Sequence, residues 1–243
     1  MVNNTEDIKK FINDRSFKKI FLLCGKKSFK ISGAESFFKN NICKKEVKFF
    51  FKKSEFPILE ELIKIINEIR NFKPDLILAI GGGAVIDYAK IANLVEAKTD
   101  LANLIINYSY PFKNKFTKLC VIPTTAGSGA EVTSNAVIYV NGVKHSFESE
   151  LLLPDNFFLI PEFLISAPNQ IKASAGFDAM AQALESLVSK KSNDQSVDYA
   201  VKSLKVSKNS YISFLEDPNY KNASEMAIAS NLAGKAISIS KTT

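Results

Sequence analysis

Two glycine-rich stretches hold residues whose types and spacing could do chemistry. The first reads LILAIGGGAVIDYAK over residues 76–90, where five apolar residues run into Gly81, Gly82 and Gly83, and Ala84 opens a segment with the composition of a helix start. Strand, tight turn and helix in that order can cradle a phosphate: glycines put no Cβ in an anion's way, and a helix N-terminus offers unpaired N–H groups and the positive end of its dipole. A turn that only packs strand against helix fits three glycines equally well. The spacing is not Gly-x-Gly-x-x-Gly, which needs glycine at Ile86, and no Gly-Lys-Ser/Thr follows as a P-loop requires.

The second stretch, CVIPTTAGSGAEVT over residues 120–133, again ends an apolar run and then offers Pro123, the hydroxyls of Thr124, Thr125 and Ser128, and small residues up to Gly129. Such a segment can lay backbone N–H and hydroxyl donors against a phosphate or ribose. Two such loops, each at a strand end, fit ligand binding outside the carboxyl ends of an open parallel sheet. Further on, Asp178, Gln182 and Glu185 stand at i, i+4 and i+7 and so share one helical face, where two ligands one turn apart could hold a metal ion. Ordinary polar contacts on a helix face are the competing reading.

Taken together, the motifs resemble those of the iron-containing (group III) alcohol dehydrogenases. GGGAVIDYAK is similar to that family's Gly-Gly-Gly-Ser-x-x-Asp-x-Ala-Lys, and PTTAGSGAE to its Pro-Thr-Thr-Ala-Gly-Thr-Gly-Ser-Glu. GFDAMAQALES at residues 176–186 resembles its Gly-x-Asp-Ala-x-x-His-Ala-x-Glu segment, and SNLAGKAISISKTT the stretch before its next metal histidine. The order is the family's, and the matches cover nearly the whole chain. The wording Ala-Gln-Ala-x-Glu-Ser resembles the phosphonoacetaldehyde-reductase-like members.

The resemblance implies a nicotinamide cofactor, NADP or NAD, with Gly82, Gly83, Ala84 and Asp87 on the pyrophosphate side and Thr124, Thr125 and Ser128 on the ribose and nicotinamide side. Ala84 replaces the family's serine and removes one hydroxyl. It also implies a divalent metal, iron or zinc, held in part by Asp178 and by Gln182, which stands where the family has a histidine and is a weaker donor. The family's later histidines have no counterpart up to Thr243, so a C-terminally truncated chain with an incomplete metal site is expected. Lys26, with Lys27 and Ser28, follows the first strand where a carboxylate would favour NAD, and suits a 2′-phosphate, while a solvated lysine pair at a strand end fits the same residues equally well.

The implied activity is hydride transfer between nicotinamide and a small alcohol or aldehyde, an anionic one such as phosphonoacetaldehyde among the candidates. The competing functions are a nucleotide-binding remnant without catalysis and a lyase like the dehydroquinate synthases. Lys144 could approach a substrate, although solvation is its simpler fate.

These residues must be positioned by elements that alternate. Residues 6–17 read as a helix, 20–24 as a strand, 35–40 as a helix and 46–51 as a strand. Pro57 opens a helix with a face of Leu59, Leu62, Ile63, Ile66 and Ile69, residues 88–96 continue helical after the glycines, and residues 104–106 form a short apolar piece. Asn141-Gly142 between residues 136–140 and 144–147 is a hairpin signal. From Glu162 onward only helices are expected, over residues 192–203 and 223–238 among others. The fold class is therefore α/β: a Rossmann-like parallel sheet with an appended hairpin over residues 1–161, then an incomplete all-α part over residues 162–243, as in the dehydroquinate synthase-like fold.

Composition narrows the partners. The 243 residues, 46% of them hydrophobic, can bury a sizeable core. The net charge of +7 suits anionic ligands, while scattered lysines without any nucleic-acid motif argue against nucleic acid. Cys24, Cys43 and Cys120 are odd in number and lack CxxC spacing, which points to free thiols. No long apolar run suggests a membrane span, and the expectation is a cytoplasmic protein compatible with a homodimer. His145, the only histidine, is read as structural or exposed, because it lies in the hairpin.

Overall fold

In the computed structural model, residues 2–13, 16–42 and 45–241 are described, so Cys43 and the last two threonines lie outside them. The sheet grows from apolar runs: β1 (Lys19–Gly25), β2 (Glu46–Lys52), β3 (Leu76–Gly81), β4 (Lys118–Pro123) and the two-residue β7 (Asn156–Phe157) are all parallel, in the order β2-β1-β3-β4-β7. Alternation sends Phe21, Leu23, Ile77, Ala79, Leu119 and Val121 to one face, and Ile20, Leu22, Leu76, Leu78, Ile80 and Ile122 to the other. Helices cover both faces, which is why β1 and β3 are apolar nearly throughout.

The first face packs on α4 (Leu59–Phe72), α5 (Gly83–Ala92) and α6 (Leu101–Ile106), the second on α1 (Thr5–Ile12), α2 (Lys26–Ile31) and α3 (Ala34–Asn41). A separate antiparallel pair, β5 (Asn135–Val140) and β6 (Val143–Glu148), turns at Asn141 and Gly142 with φ of 51° and 78°, the left-handed pair that a two-residue hairpin demands. The hairpin forms its own sheet and packs Ala136, Ile138, Val140 and Phe147 into the same core as α4 and α5, while Tyr139 N–H donates to the Pro57 carbonyl at 2.7 Å. From Glu162 every element is helical: α7 (Glu162–Ile165), α8 (Asn169–Val188), α9 (Asp194–Glu216) and α10 (Tyr220–Ser240).

Several boundaries differ from the sequence reading. The first helix ends at Ile12, short of residue 17, after a capping box in which Asn4 and Asp7 satisfy each other's backbone. α5 stops at Ala92 rather than residue 96, because Asn93 turns its side chain to bond the backbone of Thr117 in both directions. The apolar piece near residue 104 is the helix α6, and Lys26, directly after the first strand, starts α2. Ile65, not Ile63, is fully buried on α4, and α9 runs well past residue 203. Cys24 and Cys120 are buried free thiols on β1 and β4, and burial pushes both up, Cys24 to about 12. No helix among the described residues is long and apolar enough to cross a membrane.

Candidate functional site

The strand order fixes where a ligand can enter. From β1 the chain passes outward to β2, while from β3 it passes the other way to β4 and β7, so the connections part between β1 and β3. At such a switch point the loops diverge and leave a crevice at the carboxyl ends. Those ends are Gly25, Gly81 and Pro123, with Gly81 paired to Pro123 in register. A cleft of about 980 Å³ opens there, lined by Lys26 and Ser28 from α2, Lys52 and Lys53 from the end of β2, and Thr124 and Thr125 after β4.

The two glycine-rich loops interlock. Thr124 N–H donates to the Gly81 carbonyl at 3.0 Å. A Cβ on Gly82 would lie 3.2 Å from Thr125 Oγ1, and one on Gly83 would lie 2.9 Å from Ser128 Oγ, so hydroxyls of the second loop sit directly on bare backbone of the first. Gly82 leads into α5, and no side chain caps that helix. Thr124, which lines the cleft, keeps its Oγ1 buried without a hydrogen-bond partner among the described residues, an orphaned polar atom that a bound group could satisfy. Gly82 and Gly83 are thereby brought against Thr125 and Ser128, and Thr125 with Thr124 also lines the cleft along with Lys26, whereas Gly82, Gly83, Ala84 and Ser128 are not among the residues that line it. Bare amides and hydroxyls at a helix start could hold a dinucleotide phosphate.

Asp87 lies one turn further along α5 and turns to the hairpin, accepting from Val137 N–H at 3.3 Å. Desolvation pushes its carboxyl up to about 6, against the attraction of Lys90 and Lys144. Lys90 is buried, and its ammonium donates to the Thr133 carbonyl, Thr133 Oγ1 and the Asn135 carbonyl at 2.8, 3.1 and 3.0 Å. Burial pushes it down to about 8, with Asp87 and Glu131 opposing. This lysine therefore ties the second loop to the hairpin.

Asp178 and Gln182 share a face of α8, as expected, and Gln182 Nε2 donates to Asp178 Oδ2 at 2.9 Å. Gln182 Oε1 is buried without a partner among the described residues. Solvent still reaches Asp178, yet desolvation by the walls around it raises its carboxyl, opposed by Gln182 and by the charge of Lys144. The second loop reaches α8 close by, since a Cβ on Gly127 would meet the Ala175 backbone at 2.8 Å. Lys144 thus acts on Asp87 and Asp178 alike. His145 is buried on β6 beside the Tyr108 ring, 5.9 Å between centroids, and its Nδ1 has no hydrogen-bond partner among the described residues. Among the described residues no three of the His, Cys, Asp and Glu side chains gather as a metal cluster. Two oxygens on one helix do not complete a site for iron or zinc, so these residues alone do not fit the ion.

A family model described as iron-containing alcohol dehydrogenase matches residues 2–161. The chain belongs to the iron-containing alcohol dehydrogenase family. Within that family it is 31% identical over 180 residues to the aldehyde-alcohol dehydrogenase of Streptococcus pneumoniae, covering 69% of this chain and 20% of that protein. To 4-hydroxybutyrate dehydrogenase of Clostridium kluyveri it is 32% identical over 185 residues, 74% of this chain and 49% of that one. The sulfoacetaldehyde reductase of Bifidobacterium kashiwanohense, solved in complex with NAD+, superposes with a TM-score of 0.91 at 26% identity, over 100% of this chain and 65% of that one. The chain thus spans half or less of these two curated relatives. The crystal structure of an iron-containing alcohol dehydrogenase likewise superposes with a TM-score of 0.86 at 26% identity, over 100% of this chain and 67% of that one.

What the sequence reading missed is the third wall. Residues 52–55 enter the cleft from the end of β2, together with Phe163 and Ile171 of the helical part. Only the position of β2 at the edge beside β1 could have announced them, and that pairing joins residues far apart in sequence.

Proposed function

We propose that this chain binds NADP or NAD across the ends of β1, β3 and β4 and serves hydride transfer between the nicotinamide and a small alcohol or aldehyde. The observation that carries the proposal is the meeting of two bare-backbone loops at neighbouring strand ends, with the buried Thr124 hydroxyl unpartnered beside them. When bound, the nicotinamide supplies the hydride chemistry. The chain's own residues do the holding: Gly82, Gly83 and Ala84 receive the pyrophosphate at the start of α5, and Thr124, Thr125 and Ser128 present hydroxyls to the ribose and nicotinamide end. Asp87 orients the hairpin, so that β6 brings Lys144 toward α8.

The 2′-phosphate of NADP is the better complement to the wall, because Lys26 and Lys27 are exposed there and no carboxylate ends β1. Asp178 and Gln182 would supply at most two oxygen donors to a divalent metal, short of a full site, and this reading places the boundary between nucleotide and substrate parts at residues 161 and 162. The relatives named for sulfoacetaldehyde and 4-hydroxybutyrate suggest a substrate with an anionic end, which Lys144 would face.

The test is turnover by the purified chain with NADPH or NADH and small aldehydes, phosphonoacetaldehyde among them, with and without ferrous or zinc ion. Steady-state oxidation of the cofactor supports the reading and rules out a lyase. Saturable cofactor binding without turnover under any metal condition would leave a nucleotide-binding protein only.

A further inference from the structure

Residues 53–58, the turn between β2 and α4, carry the third wall of the cleft, and buried groups from two different helices hold that turn. Glu61, on the first turn of α4 and only 6% exposed, accepts Lys53 N–H at 2.6 Å on Oε1 and Ser54 N–H at 3.0 Å on Oε2, and Ser54 Oγ also donates to Oε2. The fully buried Tyr88 hydroxyl lies 3.1 Å from the same Oε2, accepts Ile58 N–H at 2.7 Å, and contacts Ser54 Oγ at 2.8 Å. One carboxylate and one phenol therefore fix the turn at both of its ends.

Tyr88 stands on α5, five residues beyond the Gly83 that opens that helix. The helix that would receive the pyrophosphate thus also holds the wall over the neighbouring part of the cofactor. The sequence motif gives no hint of this, since Tyr88 fills a position that the family motif leaves variable. A buried carboxylate bonded by three separate groups of one short turn is costly unless every bond is made, which favours the arrangement of the turn that makes them all.

We propose that Glu61 and Tyr88 are positioning residues for the adenosine end of the cofactor, acting through the 53–58 turn. This rests on the nucleotide reading above. Neither side chain touches the ligand; they set where Lys53 and Ser54 stand.

The test uses Tyr88→Phe, Glu61→Gln and the gentler Ser54→Ala, which keeps the fold even if the buried variants lose it. Binding of ADP and NADPH is measured by calorimetry, beside thermal midpoints and amide exchange at Lys53, Ser54 and Ile58. Tyr88→Phe and Glu61→Gln are expected to weaken ADP and NADPH about tenfold in the folded protein, the scale of one hydrogen bond to a charged group. Ser54→Ala is expected to weaken both ligands by a smaller factor, and the double variant to be no worse than the poorer single one, as for members of one network. Exchange should quicken at those three amides. A merely structural role would lower the thermal midpoint and leave ADP affinity unmoved, and that result, in any folded variant of the three, overturns the proposal. Wild-type protein that binds neither ADP nor NADPH would overturn the nucleotide reading itself and this proposal with it.

Discussion

Gly83 and Thr124 show how much depends on single atoms at this cleft. A side chain at Gly83 points at Ser128 Oγ, so Gly83→Asp would place a carboxylate where hydroxyl and amide donors converge. The variant is expected to fold and to lose NADPH binding entirely in a fluorescence titration; unchanged affinity would reduce the loop to a turn. Asp87 makes a pH prediction. Desolvation lifts its carboxyl from 3.8 to about 6. The folded protein therefore keeps this proton to higher pH than the unfolded chain does, so its contribution to stability falls as pH rises from about 4 to about 6 and is level above. In Asp87→Asn that segment of the stability curve, followed by urea midpoints across the range, is expected to flatten; an unaltered slope would contradict the shift. The approach of Gly82 to Thr125 and of Gly83 to Ser128 joins two stretches whose small residues already mark them as loops in the sequence. Glu61, Tyr88 and Lys53 were not legible there, since their roles arise from contacts between segments about eight to thirty residues apart, and nothing local marks them.

At the scale of elements, patterns with strong local causes were readable and ends with tertiary causes were not. The apolar runs of β1, β3 and β4 and the Asn141-Gly142 turn appear where their residues place them. The early stop of α5 at Ala92 depends on Asn93 finding Thr117, and α2 forms from a lysine pair that gave no apolar stripe beyond Phe29. The same holds for the joint between sheet and helices. There the second loop meets α10 so closely that a Cβ on Gly234 would fall 2.8 Å from Gly129 Cα and its carbonyl oxygen, and Asn231 donates to the buried Glu131 at 3.0 Å. Backbone atoms cannot turn aside. Gly234→Ala is therefore expected to destabilise by about 1–3 kcal/mol through overpacking, read as a lower urea midpoint. Gly142→Ala, with nothing within 4 Å, would cost only the strain of its left-handed backbone.

For the whole molecule, the strand order β2-β1-β3-β4-β7 decides the account, because it puts Gly25, Gly81 and Pro123 side by side at a switch point. Chemistry at the other end of the cleft is set by what α8 offers. Two oxygens, one from an amide, predict no tight site for zinc or ferrous ion in a chelator competition, with any weak binding lost in Asp178→Ala. Tight one-to-one binding, or binding that survives the substitution, would contradict that reading of Asp178. The parallel sheet and its cleft were foreseeable from alternation of strands and helices, whereas the path of residues 52–55 into the cleft required the sheet order itself. The most direct measurement is a crystal structure of the chain with NADPH bound. The pyrophosphate is expected within hydrogen-bonding distance of the Gly82, Gly83 and Ala84 amides, with Thr124 Oγ1 partnered by the cofactor. A dinucleotide resting elsewhere, with that threonine still unpartnered, would contradict the account.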